Sequence, residues 1–104
     1  MKTPVDILKQ LSLGEFDFTR HAFKRTIERN ISEIEIREAG EKAECIEDYP
    51  DDKYSPSCLL LGFTKSGRPL HVQASYADTE LVKIITLYEP DETEWTDNYS
   101  RRRM

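Results

Sequence analysis

Apolar residues are spaced differently in the two halves of this chain, and the change of spacing limits the fold more than any single motif does. Up to Gly40 they recur mostly at intervals of three and four residues, as on one side of an α-helix. From Glu44 to Tyr88 they fall in short runs separated by turn-forming residues, which is typical of β-strands. Helices followed by a block of strands predict an α+β domain.

Local capping chemistry predicts where the first helix lies. Thr3 is a suitable N-cap and Pro4 a suitable first helical residue, so a helix is expected to begin there and to end at Gly14. Phe16 and Phe18 then alternate with acidic residues, which predicts a short extended segment before the next helix.

Two further helices are predicted in close succession. Thr19 caps the second, whose apolar side is formed by Ala22, Phe23, Thr26 and Ile27 and whose polar side is formed by His21, Lys24, Arg25, Glu28 and Arg29. Asn30 suits the left-handed position that ends this helix. The third helix follows at once, because Ser32 and Glu35 form a capping box, and Gly40 ends it.

Four strands are predicted to form an antiparallel sheet: residues 44–49, 57–64, 70–76 and 81–88. The fourth is the most apolar and is therefore expected at the centre. The third alternates, with Leu70, Val72, Ala74 and Tyr76 on one face and His71, Gln73 and Ser75 on the other. Pro90 ends the sheet, and the acidic segment around Trp95 is expected to fold back as a short helical turn.

Length and charge constrain the domain organisation and the partners. The 104 residues suffice for one domain, predicted to comprise an N-terminal helix (1–14), a core (16–95) and a basic tail (96–104). The net charge of −5 argues against general affinity for nucleic acid. The charge is uneven, however, with a balance of +3 over residues 20–29 and −7 over residues 33–52. A local basic patch can therefore bind an anion.

The sequence carries no signal for a membrane span, secretion or a metal centre. The longest apolar run, residues 58–61, is far too short to cross a bilayer, and the N-terminus lacks the apolar core of a signal peptide. A cytoplasmic location is therefore expected. Cys45 and Cys58 are expected as reduced thiols, with a bridge between neighbouring strands as the alternative. No tight Cys or His pair is present, so no metal or other cofactor is expected.

The first candidate site lies on the second helix. His21, Arg25 and Arg29 recur every four residues and share one side of that helix. Two arginines one turn apart can clamp a phosphate or a carboxylate with forked hydrogen bonds. The alternative is a solvated helix face on which Glu28 pairs with a neighbouring basic residue.

The second candidate site lies on the predicted sheet. Arg68 stands at a hairpin turn, and His71 follows on the polar face of a strand, where its imidazole suits proton transfer near neutral pH. Tyr88 ends the last strand, and its hydroxyl is a candidate donor to an oxyanion. The alternatives are a His71 that packs under a loop and a Tyr88 that closes the edge of the core.

Three spaced motifs together resemble the domain-of-unknown-function family 4258, over about residues 16–95. They are Phe18-Thr19-Arg20-His21-Ala22 through Glu28-Arg29-Asn30-Ile31-Ser32, then Gly67-Arg68-Pro69-Leu70-His71-Val72, then Ile85-Thr86-Leu87-Tyr88-Glu89-Pro90 with Trp95. That family in turn resembles the RelE/BrnT-type toxins of bacterial toxin–antitoxin pairs. The resemblance implies helices packed on a curved four-stranded antiparallel sheet.

The resemblance also implies an activity, namely metal-independent cleavage of RNA, and a cognate antitoxin as protein partner. Arg25, Arg29 and Arg68 would then hold the scissile phosphate, and His71 or His21 would act as acid or base with help from Tyr88. Two other functions stay open on the residues alone. One is a non-catalytic protein-binding module, and the other is a regulatory domain that has kept the fold without the chemistry.

Overall fold

The computed structural model describes all 104 residues of the chain. Its elements, in chain order, are α1 (Pro4–Leu13), β1 (Phe16–Phe18), α2 (Arg20–Glu28), α3 (Glu33–Glu41), β2 (Glu44–Tyr49), β3 (Ser57–Phe63), β4 (Pro69–Ser75), β5 (Val82–Tyr88), β6 (Trp95–Thr96) and β7 (Arg101–Arg102). The α+β class predicted from the spacing of apolar residues is confirmed. None of the three helices has the length and apolar character needed to cross a membrane.

The helix boundaries follow the capping residues. Thr3 and Ser32 each accept a hydrogen bond from the third helical residue, whose acidic side chain bonds back to the cap, so both α1 and α3 begin with a complete capping box. Thr19 caps α2 in the same way from the side-chain oxygen. Gly14 and Asn30 adopt the left-handed conformation, with φ of 78° and 51°.

The main sheet has five strands in the order β1-β5-β4-β3-β2, so the expected four-stranded antiparallel sheet is corrected. The additional strand is β1, which pairs in parallel with β5 through Phe16 and Val82. The long connection between β1 and β5 makes this parallel pairing sterically feasible. The strand β5 is interior, but β4 rather than β5 is central.

The core lies between the helices and one face of the sheet. Ile7, Leu11, Ile36 and Ala39 from the helices pack against Leu60, Leu70, Val72, Ala74, Val82, Ile84 and Leu87 from the strands. The predicted alternation of β4 is confirmed, because Leu70, Val72, Ala74 and Tyr76 all belong to this core. Gly62 on β3 permits the close approach of α3, since a Cβ there would collide with the backbone carbonyl of Ala39.

The apolar side of α2 is buried only in part. Ala22 is fully buried, but Phe23 and Ile27 are 56% and 68% exposed. The helix packs over β5 and the short edge strand β1, so only one narrow stripe of α2 meets the sheet. Phe18 is the aromatic residue closest to this exposed stripe, with its ring centroid 6.3 Å from that of Phe23.

The segment after Pro90 folds back through one hydrogen-bonded turn, as expected, because the N–H groups of Glu94 and Trp95 both donate to the Asp91 carbonyl. It then continues as a hairpin, which was not expected. The strands β6 and β7 pair antiparallel, Trp95 with Arg102 and Thr96 with Arg101, so residues predicted as a basic tail take part in regular structure. We call residues 91–104 the C-terminal hairpin. Trp95 is only 3% exposed and lies over His71, so the hairpin covers the sheet face that does not meet the helices.

Candidate functional site

His71 is the most enclosed polar residue of the predicted site. It has no exposed surface, which agrees with the alternative in which His71 packs under a loop. The edge of the Trp95 ring system packs on it, with centroids 4.3 Å apart and planes at 87°. The polar row predicted on β4 exists, because Gln73 is half-buried and Ser75 is buried on the same face. The C-terminal hairpin, which the sequence analysis missed, is what removes His71 from solvent.

The hydrogen bonds of His71 define its tautomer. Nε2 lies 2.8 Å from the backbone carbonyl of Tyr99, and a carbonyl can only accept, so Nε2 carries the hydrogen. Nδ1 then accepts from the Tyr88 hydroxyl at 3.2 Å. Burial lowers the pKa of His71, although the Tyr99 carbonyl and the carboxylate of Glu47 act against this shift. Burial likewise raises the pKa of Tyr88. The pair is therefore neutral, with the tyrosine donating to the histidine.

Arg68 is held by a dense set of acceptors. Its Nε donates to Glu89 at 2.6 Å and its Nη1 to Glu35 at 3.0 Å, while the carbonyls of Arg29 and Asn30 accept at 3.0 and 2.8 Å. The hydrogen bond to Glu89 leads the effects that raise the pKa of Arg68, ahead of the contribution of Glu35. Arg68 thus joins the turn between α2 and α3 to the end of β5.

Arg29 is differently placed, because it forms no ion pair. One guanidinium nitrogen donates to the backbone carbonyl of Leu87 at 2.7 Å, and the guanidinium carbon lies 5.9 Å from the centre of the Tyr88 ring. The residue is exposed, and its other guanidinium N–H groups have no hydrogen-bond partner within the protein. Arg29 is therefore the one predicted phosphate ligand whose charge is uncompensated.

One open cavity of about 450 Å³ brings several predicted residues together. Its lining is formed by Arg29, Arg68, Tyr88, Glu89 and Glu94. Three of these belong to the sequence-predicted site, and His71 lies directly behind Tyr88. Glu94 was not anticipated, and its carboxylate makes no hydrogen bond or ion pair. The cavity is thus lined by a guanidinium without an ion pair, by a tyrosine whose hydroxyl bonds to His71, and by a carboxylate without a partner.

The remaining predicted residues lie apart from this cavity. Arg25 pairs with Glu28 at 2.6 Å, as in the alternative considered, but Arg25 is half-buried and its Nε has no hydrogen-bond partner. His21 is exposed and has no hydrogen-bond partner. It stands on α2, which packs on the helix-covered face of the sheet, whereas His71 lies on the opposite face. The two histidines therefore do not form a pair.

A second polar cluster adjoins His71 and was missed from the sequence. Arg102 donates two hydrogen bonds to Glu47, with Nε 2.9 Å from Oε2 and Nη2 3.1 Å from Oε1. Its guanidinium carbon also lies over the Trp95 ring, 4.7 Å from the ring centre. The Tyr49 hydroxyl donates to the same carboxylate. Burial would raise the pKa of Glu47, but the hydrogen bonds from Tyr49 and Arg102 outweigh it and lower that pKa. The one sequence signal for this contact was Trp95, because a large apolar side chain in a hydrophilic segment usually packs against another part of the protein.

Comparison with known proteins gives one match. The family model for a domain of unknown function, DUF4258, matches residues 18–89, which include α2, the Arg68–His71 segment and Tyr88. No curated protein and no solved structure matches the chain. Since the match spans well over half of the sequence, and contains most of the residues around the cavity, the chain belongs to the DUF4258 family.

Proposed function

We propose that this protein is a toxin-like, metal-independent ribonuclease of a bacterial toxin–antitoxin pair. The observation that carries the proposal is the convergence of Arg29 and Tyr88 on one open cavity, with His71 hydrogen-bonded behind the tyrosine. A guanidinium without an ion pair can bind a phosphate, and a phenol linked to a neutral imidazole can accept a proton, which are two of the functions that cleavage by the ribose 2′-hydroxyl requires.

Arg29 supports the phosphate-binding role best. Arg68 also lines the cavity, but Glu35 and Glu89 already neutralise its charge. Arg29 retains uncommitted N–H donors beside the Tyr88 ring. Arg68 contributes indirectly, because it holds the backbone carbonyl of Arg29 and so fixes the end of α2.

The hydrogen bond between Tyr88 and His71 supports a role as proton acceptor. As the 2′-oxygen attacks phosphorus, its proton passes to the Tyr88 oxygen while the Tyr88 proton passes to Nδ1 of His71. The bond from phosphorus to the 5′-oxygen breaks, and that oxygen takes a proton from water. The imidazolium then returns a proton through Tyr88 to the hydroxide that remains, which restores the neutral pair. The products are a 2′,3′-cyclic phosphate and a 5′-hydroxyl. Burial disfavours the resulting imidazolium, and the Tyr99 carbonyl and the nearby Glu47 carboxylate offset this effect in part.

The test uses purified protein and a single-stranded RNA, in the presence and absence of a chelator. Wild type should yield cyclic-phosphate ends with or without the chelator, whereas Tyr88→Phe and Arg29→Ala should each lose about 100-fold or more in rate. His21→Ala is the matched control, because His21 is exposed and remote from the cavity. Intact RNA with wild type, together with harmless expression in a bacterial host, would refute the ribonuclease.

A second candidate function rests on a different observation, the exposed apolar stripe of α2. Phe23 and Ile27 are exposed one turn apart, and Arg20 and Lys24 flank them without a close ion pair, the nearest being Lys24 to Glu28 at 3.9 Å. Exposed apolar residues flanked by positive charges are suited to bind an acidic amphipathic segment of a protein partner. The chain would then act as a protein-binding module, with or without catalysis.

The binding candidate is tested by titration with the product of the adjacent reading frame. Replacing both Phe23 and Ile27 by Ser should weaken binding at least tenfold and leave the melting temperature unchanged, because both side chains are largely exposed. Val5→Ser is the control, since Val5 is 73% exposed on another helix. Equal affinity of the double variant and wild type would exclude this surface.

A further inference from the structure

The C-terminal hairpin reaches the site through very few side chains. Trp95 packs on His71, the Tyr99 carbonyl accepts from it, and Arg102 clamps Glu47 on the edge strand β2. The Arg102 side chain is 62% exposed, whereas that of Glu47 is 23% exposed. The hairpin therefore docks on the sheet at two aromatic contacts, Trp95 with His71 and Tyr99 with Phe63, together with one backbone hydrogen bond and one two-pronged ion pair.

The turn of the hairpin is unfavourable by itself. Asp97, Asn98 and Tyr99 are three successive residues with φ of 51°, 57° and 69°. Asp and Asn tolerate the left-handed region, but tyrosine adopts it rarely. Hydrogen bonds within the hairpin and contacts with the body of the protein together maintain this conformation, and Tyr99 is the residue whose carbonyl meets His71.

We propose that the ion pair of Arg102 and Glu47 is a latch that keeps the hairpin docked and thereby positions His71 for Tyr88. The inference rests on the proposed function, in which His71 receives the proton of Tyr88. Arg102 and Glu47 are positioning residues, because they act through the hairpin and do not line the cavity.

The docked hairpin affects Tyr88 by fixing the direction of the hydrogen bond between Tyr88 and His71. The docked Tyr99 carbonyl requires a hydrogen on Nε2 of His71, which leaves Nδ1 as an acceptor for the Tyr88 hydroxyl. When the hairpin detaches, Nε2 loses that partner and the ring is free to carry its hydrogen on Nδ1. His71 would then donate to Tyr88 and could no longer accept its proton. Undocking also admits water to His71.

The acylation rates of the two histidines test whether the hairpin is docked, because one histidine is exposed and the other is enclosed. Diethyl pyrocarbonate acylates accessible neutral imidazole, so mass spectrometry of the intact, folded chain reports both rates in one experiment. His21 is exposed and should react quickly, whereas the enclosed His71 should be protected. In Arg102→Ala, His71 should react at least tenfold faster and His21 at an unchanged rate. Combining Glu47→Arg with Arg102→Glu should restore at least half of the lost protection.

Arg101→Ala is the matched control, since Arg101 precedes Arg102 but its side chain pairs only with Asp97 of its own hairpin. Continued protection of the buried Cys58 thiol from alkylation shows that the body of Arg102→Ala remains folded. Equal protection of His71 in Arg102→Ala and wild type would overturn the latch, as would unfolding of the body.

The RNA assay separates the latch from the ribonuclease. The positioning role is supported if Arg102→Ala makes His71 reactive and lowers RNA cleavage at least tenfold, and if the charge-swapped variant recovers cleavage. If His71 opens and cleavage is unchanged, the positioning role is overturned although the ribonuclease stands. If His71 opens but wild type never cleaves RNA, the ribonuclease fails, and with it the positioning role, whereas the ion pair still holds the hairpin.

Discussion

Replacing Arg68 by Ala distinguishes a structural role from a phosphate-binding role for this residue. Its guanidinium is 23% exposed and bonds to Glu35, Glu89 and two backbone carbonyls. Hydrogen bonds from a charged, half-buried donor to the two carbonyls are worth about 1 kcal/mol each. The ion pairs are partly screened, and we allow about 0.5 kcal/mol each. Arg68→Ala should therefore lower the free energy of unfolding by about 3 kcal/mol.

This loss is large enough to measure in two independent ways. In a domain of this size it corresponds to a fall in melting temperature of about 10 °C or more, and to a clear shift of the urea midpoint. Arg101→Ala is the control, because its single ion pair is 76% exposed and should contribute under about 0.5 kcal/mol. If Arg68→Ala unfolds within about 0.5 kcal/mol of wild type, Arg68 is not the structural link that we describe.

Three further changes test other parts of the account. Gly62→Ala should cost about 3 kcal/mol in urea unfolding, because the new Cβ meets the Ala39 carbonyl; a loss below about 1 kcal/mol would mean that α3 can move away. The pKa values of Glu35 and Glu47 lie below their ordinary 4.5, because hydrogen bonds to each carboxylate outweigh the effect of burial. Both carboxylates therefore stabilise the folded protein fully above pH 4.5, and this stabilisation is lost as the pH falls through the lowered pKa values. Urea midpoints measured from pH 7 to pH 3 should therefore fall less steeply for Glu35→Gln than for wild type, and parallel curves would contradict this. Glu94→Gln removes a negative charge beside the proposed phosphate site and should raise RNA affinity about threefold or more, whereas Glu44→Gln, exposed on β2 and outside that cavity, is the control.

Elements that depend on neighbouring residues could be predicted from the sequence. Ser32 and Glu35 are three positions apart, and their reciprocal hydrogen bonds form wherever that helix begins. Asn30 likewise adopts its left-handed conformation as the sequence indicated. The faces of β4 followed from simple alternation.

Features that depend on distant partners could not be predicted in this way. β1 has three residues, and nothing in them specifies a parallel partner that lies 66 positions later in the chain, as Asp17 meets Lys83. The enclosure of His71 has the same origin, since its cover is supplied by Trp95 and Tyr99 after the apparent end of the sheet. Arg102 appeared as one of three terminal arginines, and only the folded chain brings it to Glu47.

The central claim is that the Tyr88 hydroxyl and His71 act together on RNA at the cavity that Arg29 lines. The most direct measurement compares wild type with Tyr88→Phe on a single-stranded RNA, with the ends of the products identified by mass spectrometry. We predict 2′,3′-cyclic phosphate ends from wild type and a loss of about 100-fold in Tyr88→Phe, with an unchanged urea midpoint. Equal rates of cleavage in the two proteins, or no cleavage by wild type, would contradict the claim.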